Sequence, residues 1–324
     1  MITKTVIMLI SFLVPTILLN FGVISSPLVT ILLYVICGFA MAGIGMGVMH
    51  DANHGAYTKN KFFNYILSHT LDFVGISSDL WKIQHNMLHH TYTNVHGHDE
   101  DIDAPAFLLR FSPESKSYKI QRYQHLYVWG FYSLLTLWWI TAKDFIKVRD
   151  YYKSGLIKTK KERRVLTLKF IPMKLFYFTY ALVIPMIMAP FSPLWILLGF
   201  IISHLIVGLM LSIVFQLAHV VPETEFLKSN EEGELENNWF THQLRTTSNF
   251  SPKNKFLIWY FGGLTHQIEH HLFPGICHVH YPSLSKIVSK TAKEFKLPYY
   301  VNTTFFEAIA GHTRTLKKLG RMTN

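Results

Sequence analysis

Two cysteines in 324 residues, Cys37 inside an apolar run and Cys277 near the C-terminal third's histidines, leave no disulfide framework and no zinc-binding CxxC pair. Such a chain is compatible with a reducing compartment. Charge is also scarce: only 16% of residues are Asp, Glu, Lys or Arg, against 50% hydrophobic, which excludes an ordinary soluble enzyme. No internal repeat or low-complexity tract is present. The apolar stretch that opens the chain, residues 5–24, is long for a signal sequence and lacks a small-residue cleavage site, so it reads as a retained membrane helix.

The charge that remains is lopsided, +11 at pH 7. No nucleic-acid reading motif accompanies it, and the Lys and Arg fall between apolar spans, as on a cytoplasmic membrane face; nucleic acid is therefore not an expected partner, whereas the lipid bilayer is. Residues 5–24 and 27–49 predict a tight helical hairpin around Ser25 and Ser26. Residues 175–191 and 194–218 predict a second one around Ser192-Pro193. Lys4, Lys59, Lys61, Lys169 and Lys174 flank these hairpins and place their ends on the cytoplasmic side. A fifth apolar run, residues 126–141, is short and rich in Trp and Tyr, so it is expected to lie flat at the interface, as is 64–77. The expected fold class is thus all-α integral membrane, with four transmembrane helices in two hairpins, interfacial helices and a cytoplasmic helical cap. A single domain over 1–324 divides into a first hairpin (5–49), a cytoplasmic and interfacial region (50–174), a second hairpin (175–218) and a cytoplasmic region (219–324).

Histidine is what the chain has in excess, 18 in all, and the clustered ones stand where apolar spans meet the cytoplasmic side. His50-Asp-Ala-Asn-His54 puts two imidazoles four residues apart on one helix face, as metal binding from a helix requires. His85-Asn-Met-Leu-His89-His90 adds an adjacent imidazole, so that one turn reaches two neighbouring metals. Gln267-Ile-Glu-His270-His271 is a second adjacent pair. Imidazoles brought together repel when protonated and are costly when buried unpartnered; a divalent metal relieves both problems. His69, His125, His204 and His312 are isolated and expected to be packed or interfacial. Imidazole without thiolate suits Zn, Cu, Fe or Ni, but an apolar setting implies a hydrocarbon substrate, and oxidising an alkyl chain favours iron with dioxygen over redox-inert zinc.

In order and approximate spacing these three motifs resemble the histidine boxes of the membrane fatty acid desaturase family. Gln267 within Gly262-Gly-Leu-Thr-His-Gln-Ile-Glu-His-His-Leu-Phe-Pro274, together with His89-His-Thr-Tyr-Thr-Asn94, is similar to the front-end branch, linoleoyl-CoA or delta-6-like, which acts between an existing double bond and the carboxyl end. The resemblance implies a cis double bond introduced into an acyl chain, carried on CoA or lipid, using O2 and two electrons at a di-iron centre. It implies His50, His54, His85, His89, His90, His270 and His271 as iron ligands, and His219 in Gln216-Leu-Ala-His219 by its place after the last span. Gln267, His242 and His266 are implied as further ligands or as supports of ligands. Asp51, Asp79, Asp101, Asp103 and Glu269 are candidates to hold the ligands' second nitrogens, unless 99–103 is simply an exposed acidic loop. No His-Pro-Gly-Gly of a fused cytochrome b5 is present, so a separate donor, ferredoxin or cytochrome b5, is expected. Two other readings stay open: a di-iron hydroxylase or ketolase of lipids, and a histidine-rich metal transporter, which would carry ionisable residues inside its spans.

Overall fold

A computed structural model describes all residues except 103, 104, 106, 229, 231–233, 236 and 324. The chain divides into two compact units, one made of Met1–Ile83 and Tyr132–Ser212, the other of Gln84–Phe131 and Ile213–Asn324. Among the described residues four helices are long and apolar enough to cross a membrane: Ile2–Asn20, Pro27–Asn53, Lys160–Met188 and Leu194–His219. Their ends follow local chemistry. Ser26 accepts from the Val29 N–H, with Pro27 at the first helical position, which starts the second helix sharply. That helix then runs on to Asn53, so the first histidine motif forms its last turn, rather than following a span that ends at Met49. The third helix starts far earlier than its apolar run, because Thr159 caps the Glu162 N–H. The apolar run at 126–141 becomes helix Gln124–Trp138 and a π turn, Trp139–Lys143, and is not among the four.

In the first unit, Leu19, Tyr34, Trp139, Ile140, Tyr177, Ile196 and Phe200 form the buried core. Two helical irregularities in it are matched by side-chain donors. A π turn at Thr179–Val183 presents carbonyls that Asn20 Nδ2 and Tyr34 Oη reach, at Tyr180 and Ala181, each at 2.8 Å. The π turn Trp139–Lys143 presents the Trp139 and Ile140 carbonyls to Lys174 Nζ, at 3.1 and 3.2 Å. Lys174 Nζ also donates to the Gly75 carbonyl and lies 2.8 Å from Asp144, whose carboxylate accepts from Ser77 N–H and Trp139 Nε1–H. Lys174, counted above among flanking charges, is thus a buried ion pair and not a charge offered to solvent. His204, inside a span, is held at 2.6 Å by Tyr177 Oη and at 3.1 Å by Thr136 Oγ1.

The second unit departs from the all-helical expectation. Ser248–Phe250 and Tyr300–Asn302 pair as a two-stranded parallel sheet. Three residues per strand give no alternating pattern for a sequence to display. Around it stand helices Trp239–Thr246, Lys255–Tyr260, Gln267–Leu272, Tyr281–Glu294 and Phe305–Leu319, the last opened by a Thr304/Glu307 capping box. Leu244, Ile268, Leu272 and Val288 make a small core under the third histidine motif. Arg110, buried, donates to the carbonyls of Ser112, Pro113 and Met322 and so ties the C-terminal end to the unit.

Candidate metal centre

The first motif belongs to the first unit. The π turn Ile44–Met49 leads into His50, and the His50 and His54 rings sit 4.8 Å apart, each edge-on to Trp81. Both the His50 ring and its neighbour Asp51 are buried, with Oδ1 3.9 Å from His50 Nδ1.

The second motif lies on a π turn, Ile83–His89. Its bonding pattern places residue i+5 beside residue i: the His90 N–H donates to the His85 carbonyl at 3.1 Å, and their Nε2 atoms come to 3.2 Å of each other. Two imidazole nitrogens on one ion, each bound at about 2.0–2.1 Å, stand roughly 3 Å apart. An ordinary α-turn would separate these rings; the π turn sets them side by side.

His89, His219 and His271, from three different segments of the second unit, bring one ring nitrogen each to within 4.8 Å of the others. The Nδ1 atom of each is already engaged. His89 Nδ1 faces Asp99 Oδ1 at 3.0 Å, His219 Nδ1 faces the Thr246 carbonyl at 3.3 Å, and His271 Nδ1 faces Gln243 Oε1 at 2.8 Å. All three partners are acceptors, so each Nδ1 carries the hydrogen and each Nε2 is left with its lone pair. These three Nε2 atoms are buried and have no hydrogen-bond partner among the described residues. Buried lone pairs converging in this way are costly unless a cation takes them up. A second group, His90, His270 and His271, has the same closeness, as do His85, His89 and Asp101. Electrostatics fit a cation as well. Burial opposes charge on His89, yet Asp99 and Asp101 outweigh it and hold its pKa up at about 9, so its Nε2 lone pair takes up a cation, with a proton and a metal ion competing for it; burial and the neighbouring rings push His271 well below the usual imidazole range.

A family model described as fatty acid desaturase matches residues 25–303, most of the chain. The chain belongs to the fatty acid desaturase family. A Synechocystis sp. sn-1 linoleoyl-lipid 6-desaturase is 38% identical over 288 residues, 88% of this chain and 79% of that protein. The Arthrospira platensis protein of the same name is 38% identical over 286 residues, 88% and 76% respectively. An acyl-lipid (8-3)-desaturase of Physcomitrium patens is 40% identical over 300 residues, 91% of this chain and 62% of the relative. As a member of this family the chain is an oxidoreductase of lipid metabolism.

Around the histidines of this desaturase, the remaining candidates separate by what they touch. Asp101 stands 3.4 Å from His85 Nδ1 and 3.6 Å from His89 Nδ1 and accepts from Gln84 Nε2. Glu269 faces elsewhere: Asn249 and Tyr299 donate to its two oxygens, at 2.8 and 2.9 Å, while burial pushes its pKa up to about 7. Gln267 is buried, its Nε2 without a hydrogen-bond partner among the described residues, and neither His242 nor His266 enters the groups of converging nitrogens among the described residues. His242 Nε2 donates to the Thr93 carbonyl at 2.8 Å, and His266 Nδ1 lies 3.1 Å from Thr265 Oγ1. Asp79 pairs with Lys169 at 3.1 Å, and Asp103 lies outside the described residues. Sequence reasoning had no individual place for Asp99, Asn94, Gln243 or Thr246. Asp99 is buried, and so is no part of an exposed loop. Asn94 adopts φ 59°, which Asn tolerates better than most residues, and its amide reaches the carbonyls of His219, Glu225 and Thr246. The Asn of His89-His-Thr-Tyr-Thr-Asn94 was visible as a motif letter; its role as a brace was not.

Proposed function

We propose that this desaturase introduces a cis double bond into the acyl chain of a membrane lipid, between an existing double bond and the carboxyl end. The observation that carries the reading is the trio His89, His219 and His271, whose Nδ1 atoms are all committed to acceptors and whose Nε2 atoms converge. The ligand set is His50, His54, His85, His89, His90, His219, His270 and His271, holding two iron ions; His50 and His54 join on the strength of the family motif. Iron held there supplies, with O2 and two electrons, the oxidising power to take hydrogen from an unactivated methylene.

The chain's own residues do the rest. Asp99, Gln243 and the Thr246 carbonyl fix the direction of three imidazoles, so that the metal-facing nitrogens need no reorganisation when an ion arrives. The two hairpins hold the protein in the bilayer, with the histidine-bearing regions on the cytoplasmic side, where the exposed Lys59, Lys61 and Lys169 belong. A lipid-linked substrate is favoured over acyl-CoA by the names of all three relatives above. Electrons come from a separate carrier of the ferredoxin or cytochrome b5 type. A hydroxylase or ketolase would leave an oxygen atom on the product.

The test is expression of the full chain in a host fed defined fatty acids, followed by chromatography and mass spectrometry of double-bond positions. A new double bond on the carboxyl side of an existing one, absent with His89→Ala, is the expected result. An oxygenated product, or the same new lipid from His89→Ala, would overturn the reading.

A further inference from the structure

Gln243 sits on helix Trp239–Thr246, fully buried, and both ends of its amide are engaged by protein groups. Its amide has one acceptor end and one donor end. The donor end is fixed by the His90 backbone carbonyl, 3.1 Å from Nε2, because a carbonyl only accepts. That leaves Oε1 on the opposite side, 2.8 Å from His271 Nδ1 and 2.9 Å from Thr93 Oγ1. An amide oxygen also only accepts, so His271 must present its hydrogen on Nδ1. Thr93 alone, 3.3 Å from the same nitrogen, would not decide the matter, since a hydroxyl donates or accepts equally well. The direction of one backbone carbonyl in the second motif therefore dictates, through one amide, which nitrogen of the third motif faces the metal.

We infer that Gln243 is a positioning residue that sets the tautomer of His271 and couples the second and third histidine motifs, so that iron affinity depends on its acceptor oxygen. The inference rests on the metal centre proposed above. Removing a partner that orients a metal-bound histidine costs about 10- to 100-fold in affinity.

The experiment compares full-length protein in detergent, wild type against Gln243→Leu and Gln243→Glu, by competition for Fe(II) with a calibrated chelator and by thermal unfolding of the metal-free protein. Leu has no acceptor and should bind iron about 10- to 100-fold more weakly. Glu keeps an acceptor for His271 while losing the donor to His90, so its iron affinity should stay within about threefold of wild type even if it melts earlier. Wild-type affinity in the Leu variant, or a folded Glu variant as weak as Leu, contradicts the inference. If Leu does not fold, Glu decides alone: retained affinity supports the assignment and a tenfold loss refutes it. A wild-type protein that binds no iron at all would instead remove the metal centre on which both stand.

Discussion

Replacing Asp99 with Asn changes one atom and should cost both stability and metal affinity. The Asp99 carboxylate is surrounded only by donors: Oδ1 takes His89 Nδ1–H at 3.0 Å and the Asp101 N–H at 2.9 Å, and Oδ2 takes the Asn94 N–H at 2.8 Å. An amide has one oxygen to offer, so its NH2 group must oppose one of these donors. A buried donor left unpaired costs about 1–3 kcal/mol, and loss of the charge on a hydrogen bond adds to it. The carboxylate also makes His89 a more basic ligand, and outer partners of this kind are worth about 10- to 100-fold in metal affinity. The assay is chelator competition for Fe(II) together with thermal unfolding, on Asp99→Asn and on Asp101→Asn as a comparison. Asp101 is partly exposed and 3.6 Å from His89, so its variant should lose less on both measures. Equal affinity and melting temperature in Asp99→Asn and wild type would refute the reasoning.

Other perturbations test the packing within each unit. Lys174→Met leaves Asp144 charged and buried with no cation and should destabilise by about 3–5 kcal/mol, while adding Asp144→Leu should recover a large part of the melting temperature; no difference between the single and double variants would go against the pairing. A Cβ at Gly208 would sit 2.4 Å from the Ser133 carbonyl oxygen and 2.8 Å from that of Tyr132, so Gly208→Ala should cost about 1–3 kcal/mol, read as a lowered midpoint in detergent. His312 donates from Nδ1 to the Val220 carbonyl, and burial pulls its pKa down to about 4 from the 6.5 of a free imidazole. Its folded value is depressed, so its contribution is intact above about pH 6.5 and is lost as pH falls toward 4, roughly 3 kcal/mol in all. Melting temperature against pH should therefore fall less steeply over that window in His312→Gln; a parallel curve would show that His312 carries no such proton.

The four long apolar helices and the histidine motifs were legible because both are local signals: a run of apolar residues long enough to span, and imidazoles at helical spacing. Helix ends were less so. The third helix begins at a Thr159 cap in a charged stretch, where hydropathy gives no hint. Two of the π turns, Trp139–Lys143 and Thr179–Val183, are illegible for a related reason: a distant donor, Lys174 or Tyr34, arrives at a carbonyl, and no short window contains both partners. The site itself divides along the same line. The imidazoles announce themselves by type and spacing, whereas Asp99, Gln243 and Thr246 act through contacts to histidines 10, 28 and 27 positions away.

Metal stoichiometry bears most directly on the central claim. Purified, catalytically active full-length protein, analysed by mass spectrometry of its metals alongside a quantitative protein determination, should carry two irons per chain and lose iron and product together when treated with a chelator. Active protein carrying no iron, or keeping its full activity after the iron has been stripped, would contradict the account.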